Sequence, residues 1–265
     1  MKKILYYLLH AVVIIGAVCF LVYYLVGVEE PNYSRLSKCV VVLVSYLLAM
    51  LGLRKKTAPV SNKIYEDKYR DVLNGTFPED KKSYKQLLEA VGHYDRDEHK
   101  KALKVLEKLM PKCSRNRDYV AVWLLKGWCL DDLQMYNQAI EAYEKTLQYD
   151  MSFSRAWSNL GLLYSKAGRM PDAFNAYTNA ILYDPSNATA QSNMGVYYIR
   201  MGEPGKALEY AMKAMELDSR LYPAMSTASL AYKMLGDDEN ADKYCRMYGV
   251  NGGDVKALKQ RLAQM

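Results

Sequence analysis

The sequence has no paired cysteines at metal or redox spacing, no H-E-x-x-H, no glycine-rich phosphate loop and no G-x-S-x-G. Those absences remove a zincin helix, a nucleotide cradle and a serine-hydrolase elbow from consideration. The five cysteines (Cys19, Cys39, Cys113, Cys129, Cys245) are odd in number and scattered. They suit a reducing compartment and supply no disulfide framework. Histidine is scarce, and two of the three fall in HYDRDEH, His93 to His99. An EF-hand frame begun at Asp95 fails there, with Lys100 where glycine is needed and Leu106 where a bidentate glutamate belongs. That cluster is expected to be a solvated turn. The sequence therefore predicts no catalytic residue, no metal site, no cofactor and no small-molecule substrate.

Charge is also missing in one place. Ile4 to Val28 contains no charged side chain, a length that spans a hydrocarbon core as a helix. After the turn EEPNYSR a second apolar run covers 36–53, with Lys38 close enough to its end to snorkel. The first run is too long for a signal-peptide core and no A-x-A-like cleavage site follows it. A transmembrane hairpin over 1–53, with spans at 4–28 and 36–53, is the expectation. Tyr6, Tyr7, Tyr23 and Tyr24 stand where interfacial aromatics belong, and Ser45, Ala49 and Gly52 form one small-residue face.

The formal net charge is +7, and the excess lies mainly in the first half of the chain after the hairpin. Lys2, Lys3 and the exit sequence RKK (Arg54 to Lys56) outweigh Arg35 and Lys38 in the turn, so the positive-inside rule puts both termini in the cytoplasm. The expected location is a cell membrane, of bacterial inner-membrane type. Residues 54–80 are expected to form a basic juxtamembrane linker, partly extended, with one short helix around Tyr65 to Leu73, attracted to anionic lipid. The basic residues are interleaved with acids and form no helix face with stacking aromatics, which argues against nucleic acid.

What is abundant is periodicity. Ala139, Ala173, Ala207 and Ala241 recur every 34 residues, defining units that begin at Val120, Ser154, Ala188 and Tyr222. The eighth position holds Gly127, Gly161, Gly195 and Ser229, and the twenty-fourth Tyr143, Tyr177, Ala211 and Cys245. The second unit carries Trp157, Leu160, Gly161, Tyr164, Ala173, Tyr177, Ala180 and Pro185. This pattern resembles the tetratricopeptide repeat. The first unit departs from it with Lys126 for the leucine and Gln134 for the turn glycine found at Gly168, Gly202 and Gly236. Residues 83–116 can be aligned as a degenerate repeat, and Asp254 begins an amphipathic C-terminal capping helix over 254–265.

The resemblance implies an all-α fold: a solenoid of antiparallel helix pairs over 81–253, stabilised by stacking. It also implies a non-catalytic scaffold that binds a protein or extended peptide in a concave groove. Repeat positions 2, 5, 6, 9, 12 and 13 line such a groove. Here they include Arg155, Asn159, Leu162 and Lys166 of the second unit. The third supplies Asn193, Val196 and Arg200, and the fourth Lys233. The asparagine amides suit a peptide backbone, and the four cations would favour acidic side chains or a terminal carboxylate. Leu124 and Trp128 stand where a chaperone-tail clamp would need lysine and asparagine. The function expected is a membrane-tethered adaptor. The alternative is an accessory subunit of a membrane complex, acting mainly through its hairpin.

Overall fold

The structure, a computed structural model, describes residues 62–264, so the hairpin and the start of the basic segment lie outside the described residues. Among the described residues no helix is long and apolar enough to cross a membrane. They form thirteen α-helices and one 3-10 turn, with no strand. Two short helices, α1 (Asn62–Lys68) and α2 (Arg70–Leu73), come first. Five antiparallel pairs follow: α3 (Lys81–Tyr94) with α4 (His99–Leu109), α5 (Asn116–Asp132) with α6 (Tyr136–Tyr149), and α7 (Ser154–Lys166) with α8 (Met170–Tyr183). Next come α9 (Ala188–Arg200) with α10 (Pro204–Leu217), α11 (Tyr222–Met234) with α12 (Asp238–Val250), and the terminal α13 (Val255–Leu262).

Each pair closes by matching sizes. At Gly161 a Cβ would stand 2.6 Å from the Tyr177 ring, so the glycine is what lets α8 place a buried tyrosine against α7. Gly127 admits Tyr143 in the same way. At the last crossing the first helix carries a serine instead of glycine. Ser229 faces the side of α12 that carries Cys245, and its hydroxyl donates to the Ala241 carbonyl at 2.7 Å. The alanines of the 34-residue ladder are all buried at these crossings.

The turn within each pair needs one left-handed residue, supplied by Gly168, Gly202 and Gly236 at φ 73°, 75° and 79°. Gln134 takes the same conformation at φ 60°. The first repeat thus keeps the turn geometry and carries the steric cost. Second helices start with Pro171 and Pro204 in the first turn, where an amide N–H has no intrahelical partner. Asp80, Asn187, Asp237 and Asp254 cap helix starts by accepting backbone N–H groups. The largest cluster of buried side chains runs from Tyr65 to Leu163, and smaller clusters continue it through the later pairs.

The short helix expected around Tyr65 to Leu73 is present as the two helices α1 and α2, but the segment does not lie apart from the array as a linker: Tyr65, Tyr69, Val72, Leu73 and Phe77 are all buried in the main core. Their spacing places apolar side chains on one face of the two short helices, and the surrounding charges stay outside. Gly75 and Phe77 both have positive φ, which turns the chain back toward α3.

Candidate peptide groove and cavity

Residues 65–77 cross the side of the array formed by repeat positions expected to line a groove. Tyr69 lies 6.5 Å from the Tyr94 ring and 6.0 Å from the Trp128 ring, and its hydroxyl donates to Asp95 at 3.1 Å. Lys68 pairs with the same carboxylate. Tyr94 and Asp95 are positions 12 and 13 of the degenerate repeat, and Trp128 is position 9 of the next. Arg117 donates to the carbonyls of Asp71 and Asn74, Arg115 to that of Gly75, and the buried Asp118 accepts the Phe77 N–H at 2.8 Å. Asp71 reaches the second repeat and pairs with Arg155 at 2.8 Å. The chain therefore fills the groove of its own first two pairs.

Beyond that segment the concave side is open. A cavity of about 590 Å³ begins beside Asp71 and Trp128 and extends over the first turns of α7 and α9. Arg155, Ser158 and Asn159 line it from α7, Asn187 and Thr189 from the start of α9, and Asp150 and Asp184 from the turns before those helices. The turns are held by the acids: Asp150 Oδ1 accepts the Ser152 N–H and hydroxyl, and Asp184 Oδ1 accepts those of Ser186. Asn187 donates to the Ser154 hydroxyl at 2.7 Å, which fastens α9 to α7.

Of the residues singled out by the sequence, Arg155 and Asn159 meet in this cavity. Leu162 and Val196 are half-buried further along α7 and α9. Asn193 donates to Ser158 at 3.3 Å, and Arg200 to the carbonyl and hydroxyl of Ser165 at 3.0 and 2.9 Å. Lys166 pairs with Asp131 at 3.2 Å, and Lys233 with Asp238 at 2.7 Å. Three of the four groove cations are thus already matched to carboxylates, which removes most of the attraction for acidic ligands that their sequence positions suggest. Asp71, Asp150 and Asp184 escaped notice in the sequence. The two turn acids do recur at the repeat period, whereas nothing near Asp71 signals a partner 84 positions away in Arg155.

The HYDRDEH cluster is spent on its own turn and, through Asp95 and Arg96, on the segment 65–77. His93 Nδ1 lies 2.6 Å from Glu98, and Lys101 bonds the other Glu98 oxygen. Those bonds, Lys101 first and His93 second, hold the Glu98 carboxyl down to about 2. Burial pushes the Cys113 and Cys129 thiols up to about 12, as expected of packing residues rather than nucleophiles.

Stacked antiparallel pairs of this length, with small residues at their crossings, define an α-solenoid of two-helix repeats. One tetratricopeptide-repeat model matches residues 120–150 and 188–220, and a second matches 156–189, so the chain carries tetratricopeptide repeats over those stretches. Among solved structures it is similar to that described as pilF of Pseudomonas aeruginosa, at 19% identity and TM-score 0.57. That match covers 76% of this chain and 85% of the other. It is also similar to MamA, at 23% identity and TM-score 0.50, covering 66% and 97% of the two chains. A third is YrrB, described as a tetratricopeptide-repeat protein with an unusual peptide-binding site, at 16% identity, TM-score 0.50 and coverage of 77% and 98%. At these identities the likeness is one of fold. No curated protein sequence matches the chain.

Proposed function

We propose that the protein is a membrane-tethered, non-catalytic adaptor whose groove over α7, α9 and α11 holds an extended segment of a protein partner. The carrying observation is the open cavity lined by Asn159 next to a groove stretch already filled by the chain's own residues 65–77. A surface that accepts one segment in cis has the shape and chemistry to accept another in continuation. Asn159 makes no side-chain hydrogen bond among the described residues, which leaves its amide free to pair with a peptide backbone. Protein or peptide binding is the general use of such repeats, and the description of YrrB names a peptide-binding site for that protein.

The tether rests on the charge-free run 4–28 and the shorter run 36–53, and the cytoplasmic side on the lysines and arginines at their ends. Lipid contact through the basic residues after the hairpin belongs to the same reading. The test is capture of partners by the full chain from solubilised membranes, compared with a chain carrying Asn159→Ala and Asn193→Ala. Capture should fall while helix content by circular dichroism stays unchanged. Undiminished capture removes the groove assignment, and cleavage of the array by protease added outside intact cells removes the topology.

A further inference from the structure

We propose that the segment bound in this groove presents a lysine or arginine side chain to the cavity at Asp150 and Asp184. The proposal rests on the groove reading above and specifies its chemistry. The argument is one of charge. The cavity is lined by three carboxylates, Asp71, Asp150 and Asp184, and by one cation, Arg155. That cation is already engaged, paired with Asp71 at 2.8 Å and lying over the Trp128 ring at 5.5 Å. Asp150 and Asp184 have no ion-pair partner among the described residues, and each uses only Oδ1 in its turn. Two half-buried carboxylates therefore face an open concavity with no cation among the described residues paired to them, a setting that focuses attraction on cations.

The occupant is an organic cation on a peptide rather than a metal ion. Among the described residues no three acid, histidine or cysteine side chains converge closely enough to hold a metal. Asp150 and Asp184 sit at equivalent points of consecutive repeats, 34 residues apart, so they are spread along the groove direction. That spread suits a long side chain carried by an extended backbone, with Asn159 and Thr189 in the same lining as backbone or side-chain partners. The cavity volume of about 590 Å³ exceeds what one ion needs and falls within the range of organic ligand sites. The groove cations do not compete with this reading: Lys166 and Lys233 have their own carboxylates, and Arg200 is bonded to Ser165 at the far end of α9, outside the cavity lining.

The test uses a displayed library of random peptides of about eight residues, long enough in extended form to cross two repeats, selected against the full chain. Enriched peptides should share a lysine or arginine at a fixed position. Synthetic copies should bind about tenfold more weakly to a chain carrying Asp150→Asn and Asp184→Asn, and more weakly as salt rises. Asparagine keeps the Oδ1 acceptor of each turn, so unchanged circular dichroism separates loss of charge from loss of fold. Enriched peptides with a fixed acidic residue, or with no fixed charge, overturn the proposal. So does binding that Asn159→Ala with Asn193→Ala weakens and the aspartate substitutions do not, a result that leaves the groove reading in place. If no peptide is enriched, or binding ignores all four substitutions, both the groove reading and this proposal fall.

Discussion

Asp71 and Arg155 form an ion pair at 2.8 Å that joins the short helix α2 to the first turn of α7, across 84 residues of sequence. Both side chains remain close to half exposed, at 45% and 43%. Exposure at that level screens the pair, so its contribution to stability should stay below about 1 kcal/mol. A double-mutant cycle with Asp71→Ala and Arg155→Ala, followed by urea denaturation, checks this. A coupling well above that size would mean the pair is desolvated in solution.

The segment is held instead by its aromatic anchor. Tyr69 is 7% exposed and lies against Tyr94 and Trp128. Truncating a buried ring of that size removes transfer energy and leaves a cavity, at a cost of about 3 kcal/mol. Tyr69→Ala should therefore destabilise the array far more than Asp71→Ala does. It should also expose residues 65–77 to limited proteolysis. A loss under about 1 kcal/mol would show that the segment is only loosely seated.

This contrast explains what could be read from the sequence. The 34-residue ladder of Ala139, Ala173, Ala207 and Ala241 announces the helix pairs because every member serves the same local crossing. Tyr65, Tyr69, Val72, Leu73 and Phe77 also have helical spacing, yet they sit among Glu66, Asp67, Lys68, Arg70 and Asp71, and their partners begin near Tyr84 and extend to Trp128 and beyond. A run with so many charges looks solvated until its other face has a partner. The same limit applied to the groove. Positions of Arg155, Lys166 and Lys233 follow from the repeat frame, whereas their pairing with Asp71, Asp131 and Asp238 depends on the segment in cis, the end of α5 and the start of α12.

Gln134 offers a position where the sequence departs from its own pattern without changing the backbone. It holds φ 60° where the later repeats use glycine at 73° to 79°. A side chain in that region costs about 1 kcal/mol relative to glycine, beyond the entropy that glycine loses on folding. Gln134→Gly should raise stability by up to about 1 kcal/mol, visible as a higher midpoint in thermal unfolding. A fall in the midpoint would mean that the glutamine makes compensating contacts.

Gly161 tests the size matching in the opposite direction. A Cβ there would stand 2.6 Å from the Tyr177 ring, so Gly161→Ala forces the ring or the helix to move. Overpacking of this kind costs about 1–3 kcal/mol. The partner change Tyr177→Ala removes the ring that a Cβ at Gly161 would meet. The double variant should accordingly lose less than the sum of the two single losses. Simple additivity in denaturant titrations would show that the glycine is not there for the tyrosine.

Asp95 sets the response of the N-terminal segment to pH. The Lys68 ammonium and, after it, the Tyr69 hydroxyl hold its carboxyl below the usual carboxylate range, despite the opposing effect of partial burial. Its folded value is therefore below its unfolded value of about 3.9. The stabilisation is fully present above that value and disappears as pH falls through the lower, folded one. Lys68 shifts the other way, raised first by its bond to Asp95. Its share is intact below about pH 10 and is lost only as pH rises through the raised folded value. The thermal midpoint of the native chain should exceed that of Asp95→Asn at about pH 6, and the gap should close as the solution is taken toward about pH 2. A gap that stays open at the acid end would mean that shape, and not the carboxylate charge, ties Tyr69 and Lys68 to this turn.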